Sequence, residues 1–163
     1  MVILGIDPGY AILGYGVVFS EHEHQHAIAY GTIETPKTQQ FPVRLKYIGD
    51  EISKLIEQYK PDAIVVEELF FKNNQKTAIL VAEARGVVLF VASLSEAKLF
   101  EYTPLQVKQV LTGYGRAEKA QVQQMVKLLL GLPSLPKPDD AADAIAVALA
   151  HARSNSLFGK FEV

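Results

Sequence analysis

The 163-residue sequence contains no cysteine and no tryptophan. Without cysteine there are no disulfides, no thiolate zinc centres and no cysteine nucleophile, so any metal or catalytic chemistry falls to other donors. A cytoplasmic setting is the expectation that follows. Long apolar runs are also missing: no uncharged stretch approaches the ~20 residues needed to span a bilayer. The opening residues are apolar but lack a basic flank and a small-residue cleavage site, so neither export nor membrane insertion is expected. A strong charge excess is absent too. The net charge of −2 is not the basic signature usual in nucleic-acid-binding domains.

What is present is apolar material, 49% of residues against 21% charged. A chain of this length can bury one substantial core. One domain is expected over residues 1–155, with residues 156–163 as a flexible tail. The mean charge conceals a division: between Lys72 and Lys127 eight basic residues (Lys72, Lys76, Arg85, Lys98, Lys108, Arg116, Lys119, Lys127) face four acids (Glu83, Glu96, Glu101, Glu118). A polyanionic partner is therefore not excluded.

Val2, Ile3, Leu4 and Ile6 read as a buried strand that delivers Asp7 into a Pro8–Gly9 turn, because proline cannot donate to a ladder and glycine permits a tight turn. Residues 14–19 and 27–35 complete a three-strand meander. Between them, His22, His24 and His26 alternate. Strand geometry would place all three on one face, but nothing nearby offers a second shell, and a solvated hairpin tip is expected.

From Phe41 to Tyr59 apolar residues recur every three or four positions, which predicts an amphipathic helix on a sheet. Ala63–Val66 then repeats the first strand's design and ends in Glu67-Glu68. A helix between two buried strands implies a crossover, hence parallel neighbours with their carboxylates at like ends. A mostly apolar helix is expected over 77–94, a fifth strand over 98–103, and helices over 104–111, 118–130 and 139–153. Thr103 and Pro104 supply a cap and a first helical residue.

Asp7, Glu67 or Glu68, and the run Asp139, Asp140, Asp143 form a candidate constellation. Asp143 stands three positions from Asp140 and four from Asp139, so it is a helix-face neighbour of each, and the intervening alanines let that helix approach a sheet closely. Each acid has an ordinary explanation as a turn residue, a strand end or a helix cap. Asp143, inside an alanine-rich apolar helix, fits none of these. Four carboxylates meeting would raise one another's pKa values unless cations intervened. Oxygen-only donors favour magnesium or manganese over zinc, and two ions ~4 Å apart suit phosphodiester hydrolysis. Spacing leaves open which of Glu67 and Glu68 takes part, and which aspartates. The Gly5–Gly9 stretch also resembles the phosphate loop of actin-like ATPases and sugar kinases, which need two such domains where this chain has room for one.

Several motifs in order carry a more specific resemblance: Gly5-Ile6-Asp7-Pro8-Gly9 with Gly14-Tyr15-Gly16, Val66-Glu67-Glu68-Leu69-Phe70 with Lys72-Asn73, and Ala84-Arg85-Gly86-Val87. Phe100-Glu101-Tyr102, Gln106-Val107-Lys108-Gln109, Ala117-Glu118-Lys119 and Asp140-Ala141-Ala142-Asp143-Ala144 continue it over nearly the whole chain. The sequence resembles the bacterial RuvC-type Holliday junction resolvases of the ribonuclease H-like superfamily. The resemblance implies an α/β fold with a five-stranded mixed sheet, a three-strand antiparallel meander plus two parallel strands, flanked by helices. It implies a homodimer that cuts two symmetry-related strands of a four-way DNA junction, with a branch-migration motor as partner. It places an acidic tetrad on Asp7, Glu67, Asp140 and Asp143, with two Mg2+ ions expected and Mn2+ as a substitute. Glu68 and Asp139 are then extra acids. Lys119 is expected beside the scissile phosphate and Phe70 against an unpaired base. Lys72, Asn73, Lys76, Lys108 and Arg116 are further expected DNA contacts. The alternatives are another ribonuclease H-like nuclease, acting on RNA/DNA hybrids or ends, and a junction-binding protein without catalysis.

Overall fold

A computed structural model describes residues 1–69 and 75–154, the side chains of Gln75 and Lys76 excepted. The expected tail over 156–163 lies outside the described residues. Five strands, β1 (Val2–Asp7), β2 (Ile12–Glu21), β3 (His24–Glu34), β4 (Ala63–Glu67) and β5 (Lys98–Tyr102), form one sheet in the order β3-β2-β1-β4-β5. β1, β2 and β3 pair antiparallel, while β1–β4 and β4–β5 pair parallel. This is the mixed sheet expected. The parallel register sets Ile6 beside Val66, so the chain's next residues, Asp7 and Glu67, end adjacent strands at the same edge.

Strand alternation gives the sheet two apolar faces. Leu4, Ile6, Ile64 and Val66 face helices α1 (Phe41–Tyr59) and α2 (Gln75–Ser93). Ile3, Val65, Phe100 and Tyr102 face α3 (Pro104–Thr112), α4 (Lys119–Leu129) and α5 (Asp139–Arg153). Glu67 lies two positions from Val65 and Asp7 four from Ile3, so strand alternation puts both carboxylates on the α5 side.

α5 is the centre of that side. From Ala141 to Ala152 every residue except Asp143 is buried. Its alanines meet glycines in β1 and β2: a Cβ on Gly16 would stand 2.5 Å from the Ile145 Cα, and one on Gly5 would collide with the Ala144 carbonyl. Backbone against backbone is what lets two aspartates on the first turns of a helix reach the sheet edge. At the other end, the Tyr102 hydroxyl lies 2.7 Å from Ser154 Oγ and 3.1 Å from His151 Nδ1, which satisfies these polar groups inside the core.

Two local expectations change. The histidine stretch is not a tip as a whole: β2 and β3 run on to pair Glu21 with His24 and Phe19 with His26, and only residues 22–23 turn, with His22 at φ 54°. The Phe19 and His26 rings lie 5.2 Å apart, a cross-strand pair that favours extending the ladder. No metal-holding group of three acidic, histidine or cysteine side chains occurs among the described residues, here or elsewhere. Asp139 and Asp140 do not cap α5; Pro138 holds the N-cap position, and both acids sit in the first turn, where the helix dipole favours negative charge.

Candidate active site

Three segments bring the acids together. β1 and β4 carry Asp7 and Glu67 to one sheet edge, and the buried alanine face of α5 lays Asp140 and Asp143 across it. Asp7 and Glu67 share a side-chain hydrogen bond. Burial, then the charges of Asp143 and Asp140, push the Asp7 carboxyl up to about 7. Glu67 is pushed to about 8 by burial first and then by Asp7 and Asp143. Asp143 is raised chiefly by burial, although Lys119 opposes the shift.

Lys119, the first residue of α4, is the cation of the cluster. Its Nζ lies 2.7 Å from Asp143 Oδ2 and 3.4 Å from Asp139 Oδ2. Burial works against its charge, but the hydrogen bonds and charges of Asp143 and Asp139 hold its ammonium above the usual lysine range. One lysine against four or five acids leaves the site short of positive charge. Oxygen-only donors are a fitting set for hard divalent ions by their chemistry, but among the described residues no three of them are drawn together as a formed ligand group, so cation loading would have to bring them closer.

Beside the acids opens a cavity of about 200 Å³, with Glu67, Asp143, Lys108 and Lys119 at its charged side and Pro104, Val107, Val122 and Ala146 behind them. The structure thus brings Asp7, Glu67, Asp140, Asp143, Lys108 and Lys119 into one region. Glu68 is exposed and follows Glu67 onto the opposite side of the strand, where its charge acts on Arg85 of α2. Asp139 is exposed and serves Lys119 and Gln123. Arg116 is exposed in the turn before α4 and makes no ion pair with the acids among the described residues. Phe70, Lys72, Asn73 and the Lys76 side chain lie outside the described residues.

Sequence reasoning missed the bracing around Asp7. Arg44 Nε donates to Thr35 Oγ1 at 2.8 Å, Thr35 Oγ1 donates to the Tyr10 carbonyl at 2.8 Å, and the guanidinium lies 5.0 Å from the centre of the Tyr10 ring. This ties the loop after Asp7 to α1. It also missed the ion pair between Arg85 and Glu101, which joins α2 to β5. Neither pair has a sequence spacing that could signal it, since each is made across the fold.

Residues 3–151 match the family model described as Crossover junction endodeoxyribonuclease RuvC. The protein of that name from Alkaliphilus oremlandii is 53% identical over 163 residues, covering 100% of this chain and 99% of the relative. The chain belongs to the RuvC family. A second RuvC relative, from Alkaliphilus metalliredigens, is 54% identical over the same span, again 100% of this chain and 99% of its own. Among solved structures, RuvC of Thermus thermophilus in complex with a Holliday junction substrate superimposes with a TM-score of 0.93 at 34% identity, covering 100% of this chain and 99% of that one. The yeast mitochondrial Holliday junction resolvase Ydc2, at 14% identity and a TM-score of 0.67 over 93% of this chain and 78% of its own, shares the fold. The RuvC match spans the acidic residues on β1, β4 and α5 and the lysines on α3 and α4 together.

Proposed function

We propose that this protein is a Holliday junction-resolving endodeoxyribonuclease that hydrolyses one phosphodiester bond in each of two symmetry-related strands, leaving 5'-phosphate and 3'-hydroxyl ends. The observation that carries the proposal is the charge-starved meeting of Asp7, Glu67, Asp140 and Asp143 beside Lys119, in a chain that matches RuvC relatives from end to end. The four carboxylates would hold the cations, with Mg2+ expected, two per site, and Mn2+ as a substitute. Bound there, such ions supply an activated water and stabilise the leaving oxygen.

The protein's own groups do the rest. Asp7 and Glu67 give up their shared proton before they can act as ligands, which couples cation loading to pH near neutrality. Lys119, anchored by Asp143 and Asp139, sets a fixed positive charge where negative charge grows on the phosphate. Lys108, on the cavity wall, takes a phosphate beside the scissile one. Arg116, Lys72, Asn73 and Lys76 are assigned to the DNA backbone and Phe70 to an unpaired base, on the strength of the family motif.

One chain has one site, so paired nicks require a homodimer. α2 offers the face for it. Ile79, Glu83, Gly86 and Phe90 of α2 recur at helical spacing, with Leu94 just past its end, and the apolar side chains Phe90 and Leu94 are 64% and 72% exposed. An exposed apolar stripe of this kind suits a second copy of the chain. Action in the cytoplasm, beside a branch-migration motor, completes the reading.

The test is incubation of a synthetic mobile four-way junction with Mg2+ and mapping of both cuts. Symmetric paired nicks are expected. Faster cutting of an RNA/DNA hybrid than of the junction would overturn the substrate.

A further inference from the structure

The loop between α3 and α4 is held more tightly than a surface turn requires. Gly113 takes φ 75° in the left-handed region and closes α3, its N–H donating to the Gln109 carbonyl at 2.9 Å. The Gln109 side chain then grips the loop from both ends: Nε2 donates to the Gly113 carbonyl at 2.8 Å, and Oε1 accepts from the Gly115 N–H at 2.9 Å. The Thr112 hydroxyl accepts from the Tyr114 N–H at 3.1 Å and lies 3.0 Å from the Tyr114 carbonyl. That carbonyl also accepts from the N–H of buried Ala117 at 3.0 Å.

Both backbone polar groups of Tyr114 are thereby fixed, yet its side chain is 59% exposed and makes no ring pair among the described residues. Leu105, likewise 59% exposed, packs its Cγ 3.1 Å from where a Gly115 Cβ would stand. The exposed Leu105 borders the same loop at Gly115, and an aromatic side chain left exposed on a fixed backbone gains nothing from the core. It is built to meet something outside.

Charge indicates what that is. Lys108 and Arg116 flank the loop, and neither makes an ion pair among the described residues, whereas Lys119 is already engaged by Asp139 and Asp143. Lys108 and Lys119 both line the cavity next to Glu67 and Asp143, and the loop joins the two helices that carry them, running directly into Lys119. An apolar ring between free cations, at the edge of a nuclease site, matches a polymer with flat apolar faces and regularly spaced phosphates.

We propose that residues 113–116 form a second nucleic-acid platform, in which the Tyr114 ring with Leu105 takes the face of a base or sugar in a DNA strand passing the active site. Arg116 and Lys108 hold the phosphates on either side. The inference rests on the nuclease reading above and adds a residue that the motifs leave unassigned.

The sequence has no tryptophan, so Tyr114→Trp creates a single reporter. In EDTA, where no cutting occurs, a dye-labelled four-way junction is titrated with protein and its anisotropy followed alongside tryptophan emission. Emission is expected to fall in step with anisotropy. Tyr114→Ala should weaken junction binding by about 5- to 100-fold, the range one base–aromatic stack supplies, while Tyr114→Phe retains it. Arg116→Gln should lower the slope of log affinity against log salt by about 1. Unchanged emission at DNA saturation, or wild-type affinity in Tyr114→Ala, overturns the platform. Absence of any anisotropy rise with the unmodified protein would instead defeat the nuclease reading itself.

Discussion

Asp7 and Glu67 hold protons that ordinary carboxylates lose, and this has a definite sign for stability. Their folded values, about 7 and about 8, lie above the ordinary 3.8 and 4.5, so between those limits the folded state binds more protons than the unfolded chain. Metal-free protein is therefore most stable at low pH within this window and loses stability as pH rises through 8. Calorimetry in EDTA should give a lower melting temperature at pH 8 than at pH 5, by about 3–8 °C for a few kcal/mol. Mg2+ should close the gap. Asp7→Asn should flatten it, raise the melting temperature at pH 8, abolish cleavage and keep junction binding; an unaltered pH slope in that variant would mean that the proton sits elsewhere. On the proposed reading, Lys119 would act through charge placed beside the phosphate. Lys119→Met should lower the single-turnover rate by about 100-fold while changing junction affinity much less. An equal loss in both would make Lys119 a binding residue only.

The element that decides the site is α5, and its approach to the sheet depends on what β1 and β2 lack. Gly16→Ala puts a methyl group 2.5 Å from the Ile145 Cα and 2.6 Å from its N, backbone atoms that cannot swing aside. The helix must lift, at roughly 1–3 kcal/mol of overpacking, and Asp140 and Asp143 lift with it. Urea unfolding and junction cleavage should therefore fall together. Full cleavage in a destabilised Gly16→Ala protein would show that the acids tolerate helix displacement. In the sequence, Gly14-Tyr15-Gly16 was legible as a motif and the α5 alanines as a close-packing face. That the two faces meet was not, because helix and strands are more than 120 residues apart and no local period links them. Helix boundaries were legible where caps wrote them: Thr103 and Gln106 make a reciprocal capping box at α3. The β2–β3 hairpin was underestimated because its last pairs are polar and carry no apolar alternation.

For the whole molecule, the question is what covers α2. It is apolar around its circumference, with one side on α1 and the sheet and the other open. Phe90→Asp places a charge at the centre of the open stripe without touching the core. Sedimentation velocity at micromolar concentration should show the unmodified protein as a dimer and Phe90→Asp as a monomer. Paired nicking of a junction should drop more than tenfold with the melting temperature of the chain little changed, a rough expectation for a buried interfacial charge. A dimer that persists would move the interface elsewhere. The surface carries three distinct regions: an exposed apolar stripe on α2, basic and aromatic residues around the α3–α4 loop, and a cavity where Glu67 and Asp143 meet Lys108 and Lys119.

By itself the sequence determined the kinds of element, their order and the donor chemistry. Apolar period, caps and Pro-Gly turns are local, and an oxygen-only donor set without cysteine is compositional. It also placed Asp7 and Glu67 at like strand ends, since a crossover helix makes the strands parallel. Spacing left the choice between neighbouring acids open; the family motif named Glu67, Asp140 and Asp143, and only the tertiary structure shows the physical basis of that choice. Glu67 lines the cavity beside Asp143 and Ala146 of α5, while Glu68, one residue past the end of β4, is exposed and its charge acts on Arg85. Asp143 enters the cluster while Asp139 stays outside holding Lys119, because the depth at which α5 lies on Gly5, Gly14 and Gly16 sets which turn of the helix meets the sheet edge. The raised carboxyl values follow from that burial and proximity, which no spacing along the chain encodes.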